Sequence, residues 1–149
     1  MKRFLTSLGA AAVLAGCLVP LGTQAASPAA RMSIKVLPST GPRTVRGYQN
    51  VRVRLRTSGI VLDARWMGQR NQAGHGHIQV YRDSIPKDAY SRPDRSHNFL
   101  AALPVSSFRL GLSRSRLRSA GKHKIIVALA QNNFVLYRVP TASFTVNVK

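Results

Sequence analysis

The chain has 149 residues, with 23 Lys or Arg against 4 acids, all Asp, and a formal charge of +19 at neutral pH. Such an excess predicts adhesion to polyanions, and four scattered acids exclude chemistry built on rows of paired carboxylates. The only cysteine is Cys17, so no disulfide framework is available and stability must come from a single hydrophobic core.

Lys2 and Arg3 precede an apolar run from Phe4 to Leu21, followed by small residues at Thr23 and Ala25. That order of basic, apolar and small segments predicts an export signal over 1–25, and the interrupting Thr6, Ser7, Gly9, Gly16 and Pro20 argue against a membrane anchor. Cleavage after Ala25 would release a soluble periplasmic or extracellular protein. Leu14-Ala15-Gly16-Cys17 offers a second route, because it resembles the lipobox of bacterial lipoproteins. A lipid on Cys17 would hold the chain at a membrane surface.

Residues 26–30 form a small-residue linker, and one domain is expected over 31–149. Its predicted strands are Met32–Leu37, Val51–Thr57, Ile60–Ala64, His75–Arg82, Asn98–Leu103, Phe108–Leu112, Lys124–Ala130, Val135–Val139 and Ser143–Val148. Val51, Val53 and Leu55 alternate with Arg52, Arg54 and Arg56, the pattern of a half-buried strand. Ile125–Ala130 is apolar on both faces and belongs inside a sheet. Helical periodicity is confined to Ser113–Ala120, with Ser113 as N-cap and Gly121 as the stop. Trp66 and Met67 fall between strands, where a lone Trp most often plugs a core. Short strands joined by Gly, Pro, Ser and Asn turns predict an all-β, antiparallel, immunoglobulin-like sandwich of seven to nine strands.

Two constellations carry candidate chemistry. Arg52, Arg54 and Arg56 recur at the strand period and form a line of guanidinium groups roughly 6.5 to 7 Å apart, suited to successive anionic groups. Arg114, Arg116, Arg118, Lys122 and Lys124 make a second basic cluster. No aromatic residue is interleaved between Val51 and Ala64 or between Leu110 and Val127, which disfavours base stacking and sequence-specific nucleic-acid readout. The other constellation is the strand face bearing His75, His77, Gln79, Tyr81 and Asp83, opposite Ile78 and Val80. A polar strand face either meets a polar surface or presents a site. His75 and His77 could grip one copper or zinc ion, with a third ligand from His97, His123, Met67, Asp83 or the mature N-terminus.

Gly74, Gly76, His77, Tyr81 and Asp83, then Leu103-Pro104, Gly121-Lys122-His123 entering Ile125–Ala130, and Asn132-Asn133 resemble a group of exported bacterial immunoglobulin-like or cupredoxin-like β-sandwich domains. That group carries a Gly-x-Gly-His-x-His-x-Tyr-x-Asp strand, a Pro-Gly-x-His turn and an Asn-Asp-His stretch. The resemblance covers roughly Val51 to Lys149 and implies fold and export. Gln79, Ala120 and Phe134 depart from the pattern, so two of the group's histidines are missing and His75 is an extra one.

An enzyme is not expected. Asp63, Asp83, Asp88 and Asp94 show no paired-carboxylate spacing, and no nucleophile elbow, phosphate-cradling Gly loop or metalloprotease helix motif occurs. The expected function is a non-catalytic exported module whose basic faces contact an anionic envelope component or polysaccharide. The alternative is a periplasmic transition-metal binder using His75 and His77.

Overall fold

The computed structural model describes residues 32–149 except Ser39, Pro42, Asp94 and Arg95; the expected signal segment with Cys17 and the linker over 26–30 lie outside the described residues. Nine strands follow in order: β1 (Ser33–Val36), β2 (Thr44–Val45), β3 (Gln49–Ser58), β4 (Val61–Leu62), β5 (His75–Arg82), β6 (Phe99–Leu103), β7 (Ser107–Leu112), β8 (Gly121–Ala130) and β9 (Ala142–Val148). They form two sheets. One has three strands in the order β1-β3-β7; the other has the order β2-β9-β8-β5-β4, with β6 also paired to β5. All pairings are antiparallel except β2 with β9 and β4 with β5, so the molecule is the expected β-sandwich.

Parity along each strand fills the space between the sheets. Val51, Val53 and Leu55 from β3 and Phe108, Leu110 and Leu112 from β7 meet Ile78 and Val80 from β5, Ile125, Val127 and Leu129 from β8, and Phe144, Val146 and Val148 from β9. Each large apolar side chain buried this way contributes about 1.5 to 3 kcal/mol relative to exposure. A second, smaller cluster covers the outer side of the larger sheet, where Tyr81, Ile126, Ala128 and Ala130 pack with Ala89 and Leu136. Residues 85–90 and 134–136 are thus drawn over that side, whereas the outer side of the three-stranded sheet stays open.

Several expected elements change. Val135–Val139 is not a strand; it makes one bridge, Ala130 to Leu136, because Leu136 turns its N–H to the carbonyl of Ala89 and buries its side chain in the second cluster. The strand expected over Ile60–Ala64 shortens to β4, since the Asp63 carboxylate accepts the Arg65 N–H and starts a 3-10 turn at Ala64–Trp66. Trp66 is only half-buried there and packs in neither core cluster, so it is not a plug. The short helix α1 (Arg114–Leu117) has the expected Ser113 cap, but Arg118 rather than Gly121 takes the left-handed position, at φ 68°. β2 and a 3-10 turn at Lys87–Tyr90 carry no periodic pattern and are additions.

β5 lies inside its sheet. One edge pairs with β8 along its length, while the other is shared between β4 at its start and β6 beyond. Gly76 permits this close approach, because a Cβ there would sit 2.0 Å from the carbonyl oxygen of Ala130.

Candidate functional site

The open side of the three-stranded sheet is built by simple alternation. The even positions of β3 point outward, so Arg52, Arg54 and Arg56 are all exposed in one row. Cross-strand partners in an antiparallel pair share a face, and register sets Lys35 of β1 opposite Arg56 and Arg109 of β7 opposite Arg52. Both are exposed. The result is a field of five cations on one uncovered surface. Like charges directly opposite cost stability, so retaining them favours a role in solvent or against a partner over one in packing. The three described carboxylates are engaged elsewhere: Asp63 with Arg65, Asp88 with Arg92, and Asp83 with His123 and Arg82. Among the described residues, none of the five cations forms an ion pair.

Tyr48 closes one end of this field. It is 69% exposed, and it precedes β3 directly. Its hydroxyl end lies over Gly111 of β7, so close that a Cβ there would meet the hydroxyl oxygen at 2.4 Å. The same hydroxyl reaches Oδ1 of Asn50, the cross-strand partner of Gly111, at 3.4 Å. Lys35, Arg109 and Tyr48 are absent from the sequence-predicted site. The signal for Arg109 is its alternation with Phe108 and Leu110, whereas Lys35 and Tyr48 join only through register and a side chain reaching across strands.

The second basic cluster does not join the first. Lys122 and Lys124 share the parity of Ile126 and project from the outer side of the larger sheet, away from the arginine row. Arg114 and Arg118 are exposed at α1. Arg116 donates to the carbonyls of Gly111, at 2.7 Å, and Leu100, and so ties the ends of β7 and β6 together.

The His75–Asp83 face is a covered one. His77, Gln79 and Tyr81 are fully buried, and His77 packs edge-on against Phe134 with ring centroids 4.7 Å apart. Burial alone holds the His77 imidazole at about 4, below its ordinary 6.5, so the ring is neutral at physiological pH. A chain of contacts fixes its tautomer. The Gln79 amide donates to the carbonyl of Phe134 at 3.0 Å and accepts from the Tyr81 hydroxyl, which sets its orientation. The Gln79 nitrogen then faces Nε2 of His77 at 3.4 Å, so Nε2 is the acceptor and the proton sits on Nδ1.

Nδ1 of His75, Nδ1 of His77 and both amide atoms of Asn132 are buried without a hydrogen-bond partner. His75 begins β5 and Asn132 follows the end of β8, beyond the His77–Ala130 pair, so these residues belong to the same end of the sheet. They suit ordered water, which satisfies several buried polar groups at once. Two of the expected third ligands lie apart from this end. Asp83 and His123 lie at the opposite end of the β5–β8 pair, bonded to one another at 2.9 Å, and no group of three His, Cys, Asp or Glu able to hold a metal occurs among the described residues.

Asp83 works as a latch. It takes the left-handed conformation at φ 60°, and its carboxylate accepts the Lys124 N–H and faces the His123 ring. Nε2 of His123 then reaches the Ser119 hydroxyl at 3.3 Å, the order of groups used by serine nucleophiles. The carbonyl of Ser119 competes for the same nitrogen at 3.2 Å, so the chain fastens the turn after α1 to the end of β5.

No protein-family model matches this sequence, and no curated protein matches it. Among solved structures, the fibronectin(III)-like modules of CbhA from Clostridium thermocellum align with it at 10% identity and a TM-score of 0.40, over 79% of this chain and 47% of that one. This chain thus spans about half the length of that structure, and its assignment as a β-sandwich stands on its own strand pairing. No helix among the described residues is long and apolar enough to cross a membrane.

Proposed function

We propose that this chain is a non-catalytic exported module whose open three-stranded sheet face adheres to an anionic component of the bacterial envelope or to an acidic polysaccharide. The observation that carries this reading is the field of Lys35, Arg52, Arg54, Arg56 and Arg109, exposed together with no carboxylate paired to any of them among the described residues. Guanidinium forks bind carboxylate, sulfate and phosphate oxygens in pairs, and a row of them rewards a polymer that presents charge repeatedly. Export is taken from the segment before residue 26, which supplies the compartment where such polymers occur.

Binding of this kind is dominated by charge and falls steeply as salt rises. Replacing Arg52, Arg54 and Arg56 by Gln removes three cations, each worth roughly 1 kcal/mol near an anionic surface, so low-salt affinity for heparin resin should drop by about two orders of magnitude. Elution from that resin at unchanged salt would overturn the reading. Histidine-based metal binding has less support, because His75 and His77 are the two imidazoles of that face and no group of three His, Cys, Asp or Glu able to hold a metal occurs among the described residues.

A further inference from the structure

We infer that the polymer held by this face is an acidic glycan, and that Tyr48 is the platform on which one of its sugar rings stacks. The inference rests on the reading above and names the class of ligand within it. Cations alone do not distinguish a glycan from polyphosphate, since both offer rows of anionic oxygens. An aromatic ring does distinguish them, because a sugar presents C–H groups on its ring face and polyphosphate has none.

Tyr48 has the placement this requires. It is 69% exposed on a surface otherwise made of charged and small polar side chains, where a large apolar ring gains nothing from folding. The ring is held in place, with its hydroxyl end seated over Gly111 and directed to Asn50. Arg52 and Arg109 stand abreast two residues along, followed by Arg54 and then by Arg56 with Lys35. From Asn50 to Arg56 this is about 20 Å of strand, enough for several sugar units lying along β3. An acidic unit can thus stack on Tyr48, hydrogen-bond Asn50 and place its carboxylate or sulfate between Arg52 and Arg109. Single-stranded nucleic acid is the less suited polymer, because its binding surfaces interleave aromatic rings with cations to stack successive bases, and here one ring stands at the end of five cations.

The test titrates the full chain, wild type and variants, with three probes of matched charge: oligogalacturonate, inorganic polyphosphate and oligothymidylate. Tyr48→Ala should weaken oligogalacturonate binding about threefold to tenfold while leaving polyphosphate binding unchanged, and Tyr48→Phe should restore most of the loss. Gly111→Val, which pushes the ring off its seat without removing it, should reproduce part of the defect. Thermal melting of each variant checks that folding is intact, as expected for an exposed side chain. Equal losses for galacturonate and polyphosphate, or none, would overturn the glycan assignment while leaving the polyanion face standing. A larger loss with oligothymidylate than with galacturonate would replace it by nucleic acid. Loss of no ligand in the Arg52, Arg54, Arg56 triple variant would instead remove the underlying reading.

Discussion

Two strands of this molecule carry the same alternating signature, and the fold treats them oppositely. β3 alternates Val51, Val53 and Leu55 with arginines, and β5 alternates Ile78 and Val80 with His77, Gln79 and Tyr81. The arginine side of β3 is exposed, while the histidine side of β5 is fully buried beneath Phe134, Leu136 and Ala89. Alternation fixes which residues share a face, but it says nothing of what lies over that face. The residue types do say something. Gln79 and Tyr81 can satisfy one another and a backbone carbonyl in a closed space, whereas three arginines with no acid at hand cannot.

The sharpest way to break this comparison is to truncate on each side. Tyr81→Ala removes a fully buried ring together with the hydroxyl that orients Gln79, and should cost about 3 to 5 kcal/mol in denaturant titration. The Arg52, Arg54, Arg56 to Gln change should alter stability by no more than about 0.5 kcal/mol, despite tripling the number of substitutions. A triple variant as destabilised as Tyr81→Ala would mean that the arginine face is packed against something and is no free surface.

The same contrast marks what was legible in the sequence. The inward residues of β3, β5, β7 and β9 follow from period-two patterns, and β8 from its continuous apolar run. The fate of the His77 face was not legible, because its cover comes from Ile85, Ala89, Phe134 and Leu136, and the strand pattern over Val135–Val139 points to sheet pairing and not to a cap over another strand. Nor does a linear scan reveal the full cation field. Lys35 and Arg109 are 17 and 57 residues from Arg52 in sequence and meet the row only through strand register. Tyr48 stands just outside the aromatic-free stretch 51–64, and it enters the site because glycine at 111 leaves room for its hydroxyl.

pH separates the two faces next. His77 titrates at about 4 in the folded protein, against about 6.5 when the chain is unfolded. Above pH about 6.5 both states are neutral and stability is complete. Between there and pH 4 the unfolded chain takes up a proton that the buried ring refuses, so stability falls by about 1.4 kcal/mol per unit and levels off once both states are charged. The accumulated loss is about 3 kcal/mol, and His77→Gln should flatten that part of the profile. The arginine substitutions should leave it unchanged, since guanidinium groups stay charged throughout. A slope that survives in His77→Gln would assign the acid sensitivity to another group.

The smallest effects decide whether binding belongs to a face or to net charge. Arg109→Gln and Lys122→Gln each remove one positive charge, but Arg109 stands beside Arg52 while Lys122 projects from the other sheet. If polymer lies along β3, Arg109→Gln should weaken heparin binding about fivefold at low salt, and Lys122→Gln should change it by less than about twofold. Equal effects would mean that the polymer responds to the summed field of the molecule, which decays over roughly 10 Å at 0.1 M salt and has no preferred side. Unequal effects of this size favour a ligand seated on one sheet, because both residues are exposed and they stand on different sheets.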